Sequence, residues 1–594
     1  MPLQALVRAY WAHLTSRRRH QLIVLLVLMV LTSFAEVLSL GAVLPFLGVL
    51  TQPAEVFAHP MIQPLLSWLQ ITSPQALLLP ITLVFIIAAL LAGSMRLLLL
   101  YAQTRLSFAV GADFSSQIYR RTLYQPYAVH VSRNSSEIIS GVTTKVMMVI
   151  NYFLMPILTL LSSSVILLAI LLALLAVDPL MSLAAFAGFG AIYGVVILVS
   201  RKRLADYSQR ISQESVRVVK VLQEGLGGIR DVLLAGTQEA YCEQYRQADI
   251  PLRHAQANSV IIGGSPRFAA EAMGMAFIAI LAYAMAQQEN GLTGTITLLG
   301  ALALGAQRLL PVLQQGYLSI VQLRSSRDSL QDALDLLDQP IDESIHANGQ
   351  ELPFQQSIEL RDLGFRYAPH SPQILHDLNL RIPKGSRVGF IGITGSGKST
   401  LLDIVMGLLI PTEGAIWIDD APLGLGTQRS WQRRIAHVPQ SIYLSDASIA
   451  ENIAFGVPLL LIDHARVQQA AARAQIDRTI EALPEGYLTQ VGERGVRLSG
   501  GQRQRIGIAR ALYRQAEVLI LDEATSALDT ETERAVMDGI DSLGSGLTVL
   551  IIAHRLSTLR RCDQVVRLDA GCIASVGSYQ DMIDRAAATS NHHR

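Results

Sequence analysis

Long apolar runs dominate the first half of the chain. Six segments of about 18 residues or more carry few charges, and roughly 20 apolar residues cross the hydrocarbon core of a bilayer. A buried core helix is the alternative for any one run, but six such runs in one chain favour a membrane. The pattern predicts six spans at about residues 22–50, 76–101, 146–177, 179–200, 260–286 and 294–318.

Lysine and arginine counts predict the orientation of these spans, since cytoplasmic loops are enriched in both residues. The N-terminal tail holds four arginines, and the segment 51–75 holds no cation. Five cations lie in segment 102–145 and nine in segment 201–259. We therefore expect the N-terminus, both long loops and the C-terminal half to be cytoplasmic, with the spans in the inner (plasma) membrane. The first run is too long for a cleaved signal peptide.

The two long cytoplasmic loops each exceed 40 residues and contain amphipathic, helix-like sequence. Unstructured loops of that length are uncommon. We expect the membrane helices to continue into the cytoplasm, where a short helix joins each pair. Only Asp178 and Pro179 separate the third and fourth spans, which predicts a tight hairpin.

Composition agrees with a membrane part followed by a soluble part. The 594 residues are 51% hydrophobic and 16% charged, whereas soluble chains are about 25% charged. The net charge of +1 gives no basic field that would favour nucleic acid, and the three cysteines fit no metal-binding spacing. We predict a transmembrane domain at 1–325, a linker at 326–356 and a soluble domain at 357–594.

From Ser357 onward the sequence alternates short β-branched runs, glycine turns and helical segments, which predicts an α/β fold. Gly392–Ser399 fits G-x-x-x-x-G-K-[ST] between the apolar strand Arg387–Ile391 and a helix predicted to open at Thr400. Glycines free the backbone N–H groups to face phosphates, and the helix N-terminus favours anions. The predicted contacts to ATP and Mg²⁺ are Gly392, Thr394, Gly395, Ser396, Gly397, Lys398, Ser399 and Thr400.

Two adjacent carboxylates end a second apolar strand, at Asp522 and Glu523. Asp522 is predicted to hold Mg²⁺, and Glu523 is placed to act as a general base on the attacking water. Alone they would be surface charges, but the phosphate loop upstream favours the catalytic interpretation.

Leu498–Gln502, with the residues Leu498, Ser499, Gly500, Gly501 and Gln502, resembles the signature motif of ATP-binding-cassette proteins. Other motifs of that family follow in order. This resemblance implies that Tyr367 stacks on adenine, that Gln440 contacts Mg²⁺ and senses the membrane part, and that His554 is the switch histidine. It identifies Thr489–Gly495 as a loop found in exporters, and the D-loop as Ser526, Ala527, Leu528 and Asp529.

The same resemblance implies a homodimer. In this family the signature residues bind the γ-phosphate of ATP held by the partner subunit, so one chain supplies two half-sites. Glu224–Asp231 and Tyr127–Val146 resemble the cytoplasmic loops of exporters of type IV fold. The fold class implied is an all-α six-helix transmembrane domain with long cytoplasmic helical extensions, followed by an α/β P-loop ATP-binding-cassette domain.

The cargo is inferred from charges inside the spans, which are costly and usually face a cavity or a partner. Arg96, Arg267 and Arg308 are predicted to form a cationic cavity for phosphate or pyrophosphate, because arginine donates bidentate hydrogen bonds. The alternative is internal pairing with Glu36 and Glu271. The uncharged outer segment 51–75 either lies in the interface or is a collapsed loop.

Phe34–Phe46 and Ser265–Phe268 resemble segments of bacterial lipid-linked oligosaccharide flippases. The resemblance implies an undecaprenyl-pyrophosphate oligosaccharide as cargo, moved from the cytoplasmic to the outer leaflet. Export of another polysaccharide, a glycolipid or a hydrophobic drug is the alternative. A non-transporting cassette ATPase is a different class, against which the six spans argue.

Overall fold

The structure, a computed structural model, describes residues 3–51, 53–58, 73–177, 179–286, 292–341, 351–553 and 556–582. The chain divides into two compact units. The helical unit comprises Met1–Gln125 and Arg133–Pro340, and the α/β unit comprises Pro126–Ser132 and Ile341–Arg594.

Long helices form the helical unit, and several are longer than a bilayer is thick. The Leu78–Leu123 helix has 46 residues. At 1.5 Å per residue it spans about 70 Å, against about 30 Å of hydrocarbon. The predicted extensions beyond the membrane are therefore present as continuous helix. The helices before residue 178 are α1 Leu3–His13, α2 Ser16–Thr51, α3 Pro53–Ala58, α4 Leu78–Leu123, α5 Tyr127–Ser132, α6 Ser135–Ser140, α7 Val146–Val149 and α8 Met155–Val177.

The second half of the helical unit repeats this arrangement of long helices joined by a short one. Short helices α5 and α10 occur within the two long loops, where the sequence predicts them. Two π-helical segments, Gly141–Lys145 and Ile150–Leu154, join α6, α7 and α8 into one helical run. The remaining helices of this unit are α9 Pro179–Gly227, α10 Ile229–Ala235, α11 Gln238–Ala286, α12 Leu292–Ser325 and α13 Arg327–Leu337.

Three stretches among the described residues are long and apolar enough to cross a membrane: Ser16–Leu50, Pro74–Leu123 and Ser136–Leu172. They contain the first two predicted spans and most of the third, which was predicted to reach residue 177. The other three predicted spans fall on α9, α11 and α12, each of which includes side chains outside the described part of the chain. The predicted hairpin at Asp178 and most of segment 51–75 also lie outside it.

The segment 326–356, predicted to be a linker, begins with an ordered helix. Leu330, Leu334 and Leu337 of α13 are buried in the core of the helical unit. Their spacing places them on one helix face. The helical unit accordingly extends to Pro340, beyond the predicted boundary at 325.

Two sheets organise the α/β unit. An antiparallel sheet has the order β2-β1-β4-β5, and a six-stranded sheet has the order β10-β9-β3-β8-β7-β6, in which only β10 is antiparallel to its neighbour. The strands are β1 Ser357–Phe365, β2 Leu375–Pro383, β3 Arg387–Ile391, β4 Glu413–Ile418, β5 Ala421–Pro422, β6 Ile435–Val438, β7 Val518–Asp522, β8 Thr548–Ile552, β9 Gln564–Asp569 and β10 Cys572–Gly577.

Helices cover the six-stranded sheet, and its central strands are buried on both faces, as parallel strands usually are. All five residues of β8 are buried. Because β3, β7 and β8 run parallel, their carboxyl ends meet at one edge, which is where ligands bind in such sheets. The helices are α14 Lys398–Val405, α15 Gln428–Arg433, α16 Ile449–Ile453, α17 His464–Arg473, α18 Asp477–Glu481, α19 Gly500–Tyr513 and α20 Thr530–Asp541.

Candidate nucleotide site and intramembrane charges

The predicted phosphate loop connects β3 to α14 at the carboxyl edge of the sheet. The backbone φ values are 153° at Gly392, 84° at Gly395 and 94° at Gly397. Residues other than glycine rarely adopt this backbone conformation. A Cβ at Gly392 would lie 2.3 Å from the carbonyl oxygen of Leu568. The helix begins at Lys398, two residues before the predicted start, because helical geometry is available as soon as the positive φ of Gly397 ends.

Lys398 folds back over the loop. Its Nζ donates to the carbonyl oxygens of Gly392 and Ile393 at 2.9 and 2.8 Å, and to Ser396 Oγ at 3.3 Å. Burial lowers the pKa of Lys398, while the nearby charges of Glu523 and Asp522 oppose that decrease. The structure thus places the predicted phosphate-binding lysine beside both predicted acidic residues. Thr394, Gly395 and Ser399 are exposed and Thr400 is half-buried.

Asp522 and Glu523 follow each other at the end of β7. Asp522 pairs with Ile552 of β8, and the Glu523 N–H donates to the carbonyl oxygen of the same residue at 3.1 Å. Glu523 has a φ of 50°, which is uncommon for a residue with a side chain. Backbone conformations of this kind cluster at functional sites.

Gln440 lies just beyond β6, the neighbour of β7. Its Nε2 donates to Glu523 Oε2 at 2.7 Å. The predicted sensor amide and the predicted catalytic carboxylate are therefore in direct contact. Among the described residues, the Gln440 amide oxygen accepts no hydrogen bond, and such an oxygen is a suitable ligand for a hard cation.

Tyr367 stands at the edge of the phosphate loop with half of its surface exposed. Its hydroxyl lies 3.3 Å from Thr400 Oγ1, and its ring packs edge-on against Phe365 at 5.0 Å. An exposed ring fixed beside the phosphate loop offers a face on which a planar base can stack.

The signature residues form the N-terminus of α19. Ser499 Oγ accepts from the Gln502 N–H at 3.2 Å, and Gln502 Oε1 accepts from the Ser499 N–H at 2.8 Å, a capping box. Leu498 is buried, while Ser499 and Gly500 are exposed and Gly501 is half-buried. Within the described residues, no hydrogen bond or ion pair joins Leu498–Gln502 to the phosphate loop.

Gln504 is a residue that the motif analysis missed. Its Nε2 donates to Ser526 Oγ at 3.1 Å, and its Oε1 accepts from the Ala527 N–H at 2.9 Å, so it ties the signature helix to the D-loop. The D-loop itself is held by Asp529, which caps α20 by accepting from the Thr532 N–H at 2.9 Å. That hydrogen bond lowers the pKa of Asp529. The neighbouring side chain of Leu528 is buried.

Arg510 is a second residue that the motifs did not reveal. Its guanidinium donates to the carbonyl oxygens of Tyr443 and Asn452, both at 2.8 Å, and to Asn452 Oδ1 at 3.1 Å. Burial lowers its pKa to about 10. This side chain fastens the segment after Gln440 to the signature helix α19.

The predicted Mg²⁺ ligands are all oxygen donors: the hydroxyl of Ser399, the amide oxygen of Gln440 and the carboxylate of Asp522. Mg²⁺ is usually held by one or two carboxylates together with waters and substrate phosphates. The donor set therefore fits the cation. His554, the predicted switch histidine, lies outside the described residues.

Two of the three arginines that were predicted to lie within the spans have carboxylate partners. Arg96 forms an ion pair with Glu36, whose side chain is 1% exposed. Arg267 Nε lies 2.6 Å from Glu271 Oε1, and both side chains are partly exposed in the single chain. The Arg308 side chain is outside the described set. The pairing considered as the alternative to a cationic cavity is thus present for two of the three arginines.

Two family models match this chain. Residues 21–303 match the ABC transporter transmembrane region, and residues 375–526 match the ABC transporter domain. The second match covers the phosphate loop, the signature motif, both acidic residues and Ser526 of the D-loop.

Curated relatives extend over most of the chain. An ATP-dependent lipid A-core flippase of Cupriavidus metallidurans is 32% identical over 501 residues, 83% of each chain. The heterocyst differentiation ATP-binding protein HepA of Nostoc sp. is 29% identical over 579 residues, 94% of this chain and 91% of that protein. A solved bacterial Atm1-family ABC exporter with ATP bound has a TM-score of 0.76 at 24% identity and covers 96% of both chains, so it shares the fold.

Proposed function

Since the chain belongs to the ABC transporter family, we propose that it is an ATP-hydrolysing exporter that works as a homodimer and flips a phosphorylated glycolipid. The similarity to lipid A-core flippases along 83% of the chain supports this cargo class most directly. That similarity includes the helical unit, where cargo contacts belong, as well as the ATPase motifs.

The nucleotide chemistry follows from the carboxyl edge of the six-stranded sheet. Tyr367 would stack on the base, and Lys398 would exchange its loop carbonyls for phosphate oxygens. Ser399, Gln440 and Asp522 would hold Mg²⁺, which neutralises charge on the phosphates when bound. Glu523 would orient and deprotonate the attacking water, and His554 would act near the γ-phosphate.

A homodimer would complete each ATP site. Ser499 and Gly500 are exposed at the start of α19, and within the described residues no hydrogen bond or ion pair joins the signature motif to the phosphate loop of its own chain. In the proposed dimer, Ser499 and Gly500 of one subunit would contact ATP bound at Lys398 of the other. Different ATP affinities of the open and closed dimers would then reverse access to the cargo site.

The proposed location is the inner (plasma) membrane, with the N-terminus and the α/β unit in the cytoplasm. The distribution of lysine and arginine between the loops supports this orientation. The cargo would accordingly move from the cytoplasmic to the outer leaflet.

Two phosphorylated glycolipids are the leading cargoes. The named relatives favour a lipid A-core molecule. The segments Phe34–Phe46 and Ser265–Phe268 favour an undecaprenyl-pyrophosphate oligosaccharide. Both carry sugars, phosphate and long apolar chains, so one amphipathic, anion-binding path suits either, whereas a hydrophobic drug needs no anion site.

Reconstitution into liposomes tests the proposal. Fluorescent lipid A-core, an undecaprenyl-pyrophosphate oligosaccharide and a neutral hydrophobic dye would be followed by accessibility to a membrane-impermeant quencher. We expect ATP to drive flipping of one phosphorylated glycolipid, and Glu523→Gln to abolish it. Dye transport without glycolipid transport would contradict the cargo class, and ATP-independent movement of all three would contradict the coupling.

A further inference from the structure

An open groove of about 640 Å³ lies between α2 and α4 in the helical unit. Val24, Leu28 and Phe108 line its apolar side, and the side chains of Val24 and Phe108 are 68% and 44% exposed. The groove lies at one end of the apolar stretch of each helix. The apolar stretch of α2 begins at Leu22, and that of α4 ends at Leu100. It therefore combines an apolar wall with the polar boundary of the membrane.

Basic side chains line the polar end of this groove, which includes Arg18, His20 and Arg105. Arg18 is committed to Asp113, to which it donates two hydrogen bonds of 2.8 and 3.2 Å. Arg105 differs, because its guanidinium lies against the ring of Tyr101, 5.6 Å from the ring centroid. Within the described residues, no carboxylate neutralises Arg105, so the groove has a surplus positive charge.

An apolar wall beside an unneutralised guanidinium suits an amphipathic anion. We propose that this groove binds an anionic glycerophospholipid of the cytoplasmic leaflet, with its phosphate at Arg105 and an acyl chain along Val24 and Leu28. The volume is in the range of sites that enclose one small ligand. This lipid would be a resident partner rather than the transported cargo, so the inference goes beyond the proposed function.

The surroundings favour a lipid over a soluble anion or a protein segment. The neighbouring side chains Val27 and Leu98 are 56% and 49% exposed, and a bilayer would cover both. Free phosphate would gain nothing from the apolar wall. A lipid engages both ends of the groove, since its phosphate meets the cation and its chain replaces water on apolar surface.

Native mass spectrometry of the full-length, detergent-solubilised protein tests this proposal. Dioleoyl phosphatidylglycerol and dioleoyl phosphatidylcholine would be titrated separately. We expect Arg105→Gln to weaken phosphatidylglycerol binding about fivefold, the usual effect of one basic residue at an anionic lipid, and to leave phosphatidylcholine binding unchanged. Val24→Ser should weaken both lipids, because it alters the acyl-chain wall.

Arg120 provides a matched control on the same helix. It is exposed, and its guanidinium lies 5.7 Å from the ring of Tyr124, much as Arg105 lies against Tyr101. It is 15 residues further along α4, or about 22 Å. Arg120→Gln should therefore leave phosphatidylglycerol binding at the wild-type level.

Three results would overturn the proposal. Unchanged phosphatidylglycerol binding in Arg105→Gln would show that the groove does not select the anion. An equal loss in Arg120→Gln would reduce the effect to general surface charge. The third result is displacement of phosphatidylglycerol by lipid A-core in a one-to-one ratio that requires Arg105. That result would make the groove a cargo site. None of these measurements uses ATP or transport, so they stand apart from the proposed function.

Discussion

Gln440 Nε2 donates a 2.7 Å hydrogen bond to Glu523 Oε2. The two residues follow neighbouring parallel strands, β6 and β7, which brings them together at one edge of the sheet. A carboxylate that accepts this bond has one oxygen engaged. A carboxylate offers about four acceptor sites, so Glu523 can still accept a proton from water while Gln440 holds its orientation.

Glu523→Gln should abolish steady-state ATP hydrolysis while ATP binding survives. The amide keeps the size of the side chain but lacks its charge and basicity. We expect a loss of at least about a hundredfold in turnover, the usual scale for a general base, and accumulation of ATP-loaded dimers. Phosphate release and nucleotide binding by the purified variant measure both. Near-normal turnover would show that another carboxylate is catalytic.

Mixed dimers test the composite site. Lys398→Ala and Ser499→Ala subunits, when combined, retain one site with both an intact phosphate loop and an intact signature serine. Each mutant homodimer has none. We expect the mixture to regain up to half of the wild-type hydrolysis, measured after affinity purification with two different tags. Full-rate hydrolysis by a strictly monomeric preparation would contradict the dimer model.

Gln504→Leu should uncouple the signature helix from the D-loop. It removes the partner of Ser526 Oγ and of the Ala527 N–H, both on exposed residues, at a net cost of about 1 kcal/mol for each hydrogen bond. We expect reduced hydrolysis with nearly normal ATP binding. Gln504→Glu keeps the acceptor for Ala527, so it should be less damaging, and exposed Gln468→Leu is the control. Equal activity of all three variants would contradict the coupling.

Motif chemistry predicts a nucleotide site from the sequence because phosphate binding restricts which residue types fit. The strand Arg387–Ile391 forms as predicted, and Asp522 ends the strand β7, which lies one strand away from it across β8. Gln504 and Arg510 were missed because their partners are distant along the chain, and only the folded sheet brings them together. The α13 helix was missed although Leu330, Leu334 and Leu337 carry a helical period.

Asp403 on α14 should make stability depend on pH. Burial, reinforced by the charge of Asp522, raises its pKa from 3.8 to about 6. The folded state then binds the proton more tightly than the unfolded state. Above pH 6 the carboxyl of Asp403 is ionised and destabilises the folded state. A shift of about two units corresponds to about 3 kcal/mol.

Asp403→Asn should therefore raise the melting temperature at pH 7.5 by several degrees, and the gain should shrink as pH falls through 6 toward 4. Exposed Asp420→Asn is the matched control and should change little. Scanning fluorimetry of the nucleotide-free protein across this range measures the effect. A gain that is the same at pH 4.5 and 7.5 would show that ionisation of Asp403 is not its cause.

Variants of Arg96 and Glu36 distinguish a structural role of Arg96 from a role in cargo binding. Removing Arg96 would leave Glu36 buried without its cation, and breaking such a pair typically costs about 3–5 kcal/mol. If the pair is structural, Arg96→Gln should lower yield and melting temperature. The double variant Glu36→Gln with Arg96→Gln should then restore both, and transport with them.

The cargo role makes the opposite forecast. Arg267 and Glu271 are partly exposed and one helical turn apart, so Arg267→Gln should cost little stability. If Arg96, Arg267 and Arg308 hold a lipid phosphate, each glutamine variant should lose flipping while basal ATP hydrolysis persists. Lysine should rescue only partly, because it lacks the bidentate fork. Melting curves beside a liposome flipping assay decide, since well-folded Arg267→Gln protein that transports normally would remove Arg267 from the cargo path.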